Sequence, residues 1–178
     1  MDKYTAYETL LKKTDTIRDQ QDTPIDKEVK PIIAALWLHG FTTSGSCAGH
    51  IDSESRGPYI HITSSDFDAQ YNTFNEAINA GRMAEARQLK QKIYDSSLTV
   101  YSRIFSLLNK FYKNTNFDYN HLIIAYAQLN GEIYLYFNDV RIADTFNHEQ
   151  RRAWLEECHY ELQRLTDFLL SQPIYVRQ

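Results

Sequence analysis

The dipeptide Asn130-Gly131 stands between two runs rich in β-forming residues, and no other feature limits the fold of this chain so tightly. Asn-Gly readily supplies two consecutive residues at positive φ, so it predicts a two-residue type I′ hairpin over 121–138. In that register Ile124 faces Phe137, Tyr126 faces Leu135 and Gln128 faces Ile133. The other face carries Ile123, Ala125 and Ala127 against Tyr134 and Tyr136. Both faces are apolar enough to need a cover, and the alanines leave room for something to lie across them.

Elsewhere the periodicity is mostly helical. Leu89, Ile93, Val100, Ile104, Leu107, Leu108 and Phe111 share one side of 83–112, which predicts a single long helix. Leu98, Tyr101, Phe105 and Tyr112 broaden its apolar face, as expected of a helix buried on two sides or facing a partner. Ile25, Val29, Ile32, Ile33 and Leu36 form a second stripe. Pro31 lies inside it, so that helix either kinks or begins near Pro31. Phe67, Tyr71, Phe74 and Ile78 follow a capping-box pattern at Ser65–Asp68. Leu155, Cys158, Leu162, Leu165 and Leu169 make the last stripe, beginning near Asn147. In the short run 58–63, Ile60 and Ile62 share one face while Tyr59, His61 and Thr63 share the other. The expectation is an α+β fold with a small, mainly antiparallel sheet of strands near 41–46, 58–63, 121–129 and 132–138. Residues 1–22 read as a helical arm, and 23–178 as a single domain.

Composition narrows the function. A net charge of −4 over 178 residues argues against a nucleic-acid binder, whose affinity rests on basic contacts to phosphate. No apolar run reaches the 18 residues of a membrane span, and Met1-Asp2-Lys3-Tyr4 lacks the layout of a signal peptide. Two cysteines are too few for a disulfide scaffold. A reduced, cytoplasmic protein is expected. The 13 tyrosines suit half-buried faces, so a homodimer through the hairpin and the long helix is one expectation.

Candidate chemistry concentrates in Thr42-Thr43-Ser44-Gly45-Ser46-Cys47-Ala48-Gly49-His50. A hydrophobic core has no need of this mixture of hydroxyls, a thiol, glycines and an imidazole. Thr42, Thr43, Ser44, Ser46 and the Gly49 backbone are the expected binding groups for a small ligand, with Tyr59 lining the wall. The following segment, 47–57, reads as exposed and mobile. Three chemistries stay open. Cys47 and His50 with His61 make a three-ligand set for zinc with a free fourth position. Cys47 with His50 or His61 as base makes a catalytic nucleophile. The Ser44–Gly49 backbone makes a nest of amides for a phosphate or carboxylate. The other histidines have plainer readings. His39 favours a helix C-terminus, where a cation is stabilised, and His148 and His159 sit on a solvated helix face.

The pattern from Ile25 to Ile62, with Gly-Phe-Thr-Thr, Ser-Cys-Ala-Gly-His and Pro-Tyr-Ile, resembles small bacterial and phage-type proteins that carry a Ser-Cys-x-Gly-His loop. More distantly it is similar to the tRNA wybutosine-synthesis methyltransferases, which have a Ser-Ser-Cys-Ser-Gly-Arg loop after a similar helix and strand. Ser46, Cys47 and Gly49 match that loop directly, and Thr42 and Thr43 match if Gly45 is an insertion. His50 replaces its arginine, which removes a permanent charge and a forked donor. The resemblance implies a site on the loop and, more remotely, S-adenosylmethionine as cofactor. Two functions are therefore expected from this chain. One is a metal-dependent or S-adenosylmethionine-related enzyme; the other is a non-enzymatic interaction module.

Overall fold

The computed structural model describes residues 2–19, 21–52, 57–113, 121–138 and 143–174. Among these residues, five α-helices pack with one four-stranded antiparallel sheet: α1 (Lys3–Thr14), α2 (Lys30–Leu38), α3 (Phe67–Asn79), α4 (Met83–Tyr112) and α5 (His148–Ser171), with β1 (Thr42–Cys47), β2 (Tyr59–Thr63), β3 (Ile123–Ala127) and β4 (Ile133–Phe137). The α+β architecture and the long helix are as the sequence pattern implied. Strand order is β1-β2-β4-β3, so β1 and β2 pair as a hairpin and the second hairpin adds beside β2. No helix among the described residues is long and apolar enough to cross a membrane.

Local chemistry accounts for the boundaries. Pro31 occupies the first turn of α2, where a missing N–H costs nothing, so the helix starts there rather than kinking. Lys27–Val29 forms a separate 3₁₀ turn ahead of it. The Asn147 side chain accepts from the Gln150 N–H, and the Gln150 side chain accepts from the Asn147 N–H, closing a capping box on α5. The box expected at Ser65–Asp68 does not form: Asp66 caps α3 without a side-chain bond to the backbone.

The hairpin corrects the expected register. Gln128 N–H donates to Glu132 C=O, and Gly131 N–H donates to Gln128 C=O. The loop is thus three residues long, Leu129 to Gly131, with Gly131 alone at positive φ (+97°). The pairing shifts by one residue, to Ile123↔Phe137, Ala125↔Leu135, Tyr126↔Tyr134 and Ala127↔Ile133. A shift of one moves residues between faces. Ile123, Ile133, Leu135, Phe137, Ile60 and Ile62 are buried in the core with α2 and α5. Helix α4 packs along β3, where Ala125 and Ala127 are small enough to admit it. Tyr59, His61, Tyr134, Tyr136, Ile124 and Tyr126 share the opposite face. On that face the His61 ring lies 4.7 Å from Tyr59 and 3.8 Å from Tyr134.

His39 departs from its expected role. It ends α2, but it is 1% exposed, and its Nε2–H donates to the Leu169 carbonyl at 2.7 Å. Burial, with Lys3 and Arg103 nearby, pushes its pKa below 6.5 despite that carbonyl. Burial also lowers His61 against the opposing charge of Glu132. Both imidazoles therefore take up a proton less readily in the fold than in the unfolded chain, where they titrate near 6.5. As pH falls below that value the unfolded chain takes up more protons, so stability decreases. Urea midpoints at about pH 7.5 and about pH 5.5 check this: the lower pH should give the lower midpoint, and equal midpoints would contradict it.

Candidate functional site

The site begins with the turn after β1. Cys47 is its last residue, paired across the strands with Tyr59. Its side chain therefore leaves the sheet on the Tyr59 side, and it is buried. Gly49, at φ +79°, then bends the chain sharply. Just ahead of the bend, two successive amides point at two side chains. The Ala48 N–H donates to Asp26 Oδ2 at 2.8 Å, and the Gly49 N–H donates to Cys47 Sγ at 3.3 Å. Asp26 lies just ahead of the 3₁₀ turn and makes no cap bond to it, which leaves its carboxylate for the Ala48 amide. His50 follows, exposed, with Nε2 3.8 Å from Asp26 Oδ2.

One ligand atom each from Asp26, Cys47 and His50 lie within 4.8 Å of one another. Their outer side is a cavity of about 570 Å³. Asp26, Glu28, Ala48, Gly49, His50, Ile51 and Asp52 form one wall, and Arg152, Leu155, Glu156 and His159 of α5 form the other. Cys47 does not line it. His159 Nε2–H donates to the Ala48 carbonyl at 2.7 Å, and Arg151 donates to the Ile51 carbonyl at 2.9 Å. The segment 47–57 is accordingly less open than expected: Cys47, Ala48 and Gly57 are buried, while 53–56 lie outside the described residues.

The sequence-derived candidates separate along β1. Cys47, Gly49 and His50 converge; Tyr59 adjoins Cys47, and burial together with the Cys47 and Asp26 charges raises its pKa. Thr42, Thr43 and Ser44 do not join them. At about 3.3 Å per residue, Thr43 is some 13 Å along the strand from Cys47. The Thr43 hydroxyl accepts from Trp37 Nε1 at 2.9 Å, and Ser44 reaches toward Glu132 at 3.5 Å. Ser46 pairs with Ile60 on the face opposite Cys47. His61 stands outside the Asp26–Cys47–His50 group, held in the ring stack with Tyr59 and Tyr134. Gly45 makes room for that ring, since a Cβ there would come within 3.2 Å of His61 Nδ1. The expected amide nest also has a different use: the protein's own Asp26 and Cys47 receive the Ala48 and Gly49 amides.

Asp26 and His159 are the residues that sequence reasoning missed. Asp26 reads locally as a helix-start charge, and His159 as part of a solvated helix face. Comparison with family models, with curated proteins and with solved structures returned no match for this chain.

Proposed function

We propose that this chain is a metal-dependent enzyme whose centre is Asp26, Cys47 and His50, with an open coordination position toward the cavity between the loop and α5. The 3.8 Å separation of His50 Nε2 and Asp26 Oδ2 carries the reading. It is too long for a hydrogen bond. Zinc–nitrogen and zinc–oxygen bonds of about 2.0–2.2 Å set tetrahedral ligands roughly 3.3–3.5 Å apart, so closing by a few tenths of an ångström would seat both atoms on one ion. Oxygen, nitrogen and sulfur donors together suit zinc, and three protein ligands with one open position is the catalytic pattern. The amides on Cys47 and Asp26 support the reading as well. They stabilise two anionic ligands side by side and fix their direction before an ion arrives.

The burial of Cys47 favours this over nucleophilic catalysis. A thiol outside the cavity wall can bind an ion from behind, whereas a nucleophile must reach the substrate. A zinc ion there would supply Lewis-acid activation of a water or carbonyl. The carboxylates of Glu28 and Glu156, on opposite walls, are two proton acceptors within the cavity.

Apoprotein titrated with Co²⁺ tests the reading. A thiolate-to-cobalt charge-transfer band saturating near one ion per chain, displaced by Zn²⁺, is expected. Cys47→Ala should lose the band, and Asp26→Asn should weaken binding. A parent protein without the band, or a Cys47→Ala variant that keeps it, overturns the proposal.

A further inference from the structure

Helix α5 touches the ligand loop once per turn. Arg151, Leu155 and His159, spaced i, i+4 and i+8, share one helix face. Arg151 holds the Ile51 carbonyl, Leu155 packs on Gly49, and His159 holds the Ala48 carbonyl. The helix thus grips the loop in reverse order, at residues 51, 49 and 48.

The last grip differs from the others. Its partner, Ala48, is 3% exposed, so neither its N–H nor its C=O can turn to water. The Ala48 carbonyl shares its peptide unit with the Gly49 N–H, so one side of that unit is fixed by His159 at 2.7 Å and the other is aimed at Cys47 Sγ at 3.3 Å. A peptide unit is rigid and planar. Turning its carbonyl therefore turns its amide, and the Cys47 sulfur loses that donor. The amide before it, from Ala48 to Asp26 Oδ2, belongs to the preceding peptide unit of the same chain.

We infer that His159 is a positioning residue for the metal centre: through the Ala48–Gly49 peptide it sets the sulfur of Cys47, without itself being a ligand. The inference rests on the metal reading of Asp26, Cys47 and His50. It also gives the α5 imidazole a definite tautomer. A carbonyl can only accept, so Nε2 carries the hydrogen of a neutral ring and Nδ1 is its acceptor.

The test compares His159→Ala with His159→Gln by Co²⁺ titration of the full chain, with apoprotein unfolding midpoints as the control. Glutamine places an amide N–H where Nε2–H stands; alanine has no donor. His159→Ala should weaken cobalt binding by roughly 10- to 100-fold, the range for lost outer-shell partners, and change the shape of the charge-transfer band. His159→Gln should restore most of the affinity and the band. A merely structural histidine would lower the apoprotein midpoint in both variants and leave the affinity of the folded fraction unchanged. Either that result or equal loss of affinity in both variants overturns the inference. A parent protein that binds no cobalt overturns the metal reading itself, and this inference with it. Cobalt bound to the parent with no difference among the three proteins overturns the inference alone.

Discussion

Gly49→Ala is expected to lower the thermal midpoint by about 10 °C and to abolish cobalt binding at concentrations that saturate the parent. Two terms add. Gly49 sits at φ +79°, a conformation that costs other residues roughly 1–2 kcal/mol. A Cβ would also lie 2.7 Å from Leu155 Cδ2 and 3.0 Å from the Gly57 carbonyl carbon. The second neighbour is backbone and cannot swing aside, so overpacking adds roughly 1–3 kcal/mol. For a chain of this length each kcal/mol moves the midpoint by roughly 2–4 °C. Gly81→Ala is the matched control. Gly81 has nearly the same φ, +71°, but nothing lies within 4 Å of the added Cβ. It should show the conformational term alone and leave metal binding intact. Equal midpoints for the two variants would mean that Leu155 and Gly57 yield, and that the bend at Gly49 is looser than the structure shows.

The same glycine shows how far the sequence could be read. Cys47, Gly49 and His50 are neighbours in the chain, so their proximity is visible in any alignment of residues with loops. Their partners are not. Asp26 precedes Ala48 by 22 residues and His159 follows it by 111. Spacing carries no information over such distances; only the packing of α2 and its leading turn on β1 and α5 brings them in. Asp26 also had a sufficient local explanation, since a carboxylate before a helix suits the dipole. It makes no cap bond, and that only the structure reveals. His61 failed in the opposite sense. It lies on the same sheet face as Cys47, two residues from Tyr59, but neighbouring tyrosine rings hold it. Alternation gives the face of a strand residue and not its contacts.

The larger elements were legible because their signals are long. Helix α4 repeats its apolar pattern over 30 residues, and Pro31 marks the start of α2 by its missing donor. The β3–β4 register was less so. Apolar side chains stand at nearly every position from Ile123 to Ala127 and from Ile133 to Phe137, so alternation does not choose a face. The turn alone had to decide, and Asn-Gly serves both a two-residue loop and a three-residue loop that ends on glycine at positive φ. What selects the longer loop is tertiary: Gly131 is wedged against α3 and α4.

Gly131→Ala therefore has the other large expected effect, a loss of about 3–5 kcal/mol of stability. Its φ is +97°, and an added Cβ would lie 2.5 Å from Ile93 Cγ2, with Phe67 Cε2 and Ser97 Oγ each at 3.1 Å. Ser97 Oγ also donates to the Gly131 carbonyl, so the turn cannot back away from α4 without breaking a buried hydrogen bond. Urea unfolding should show a lower midpoint with an unchanged slope. The contact with Ile93 can be isolated. Ile93→Ala removes the atom that collides, at the usual cost of a cavity. In the double variant the two losses should sum to less than their separate values, because the new methyl occupies space that the truncation opened. Additive losses would show that the backbone angle, and not the contact with α4, makes glycine necessary at the turn.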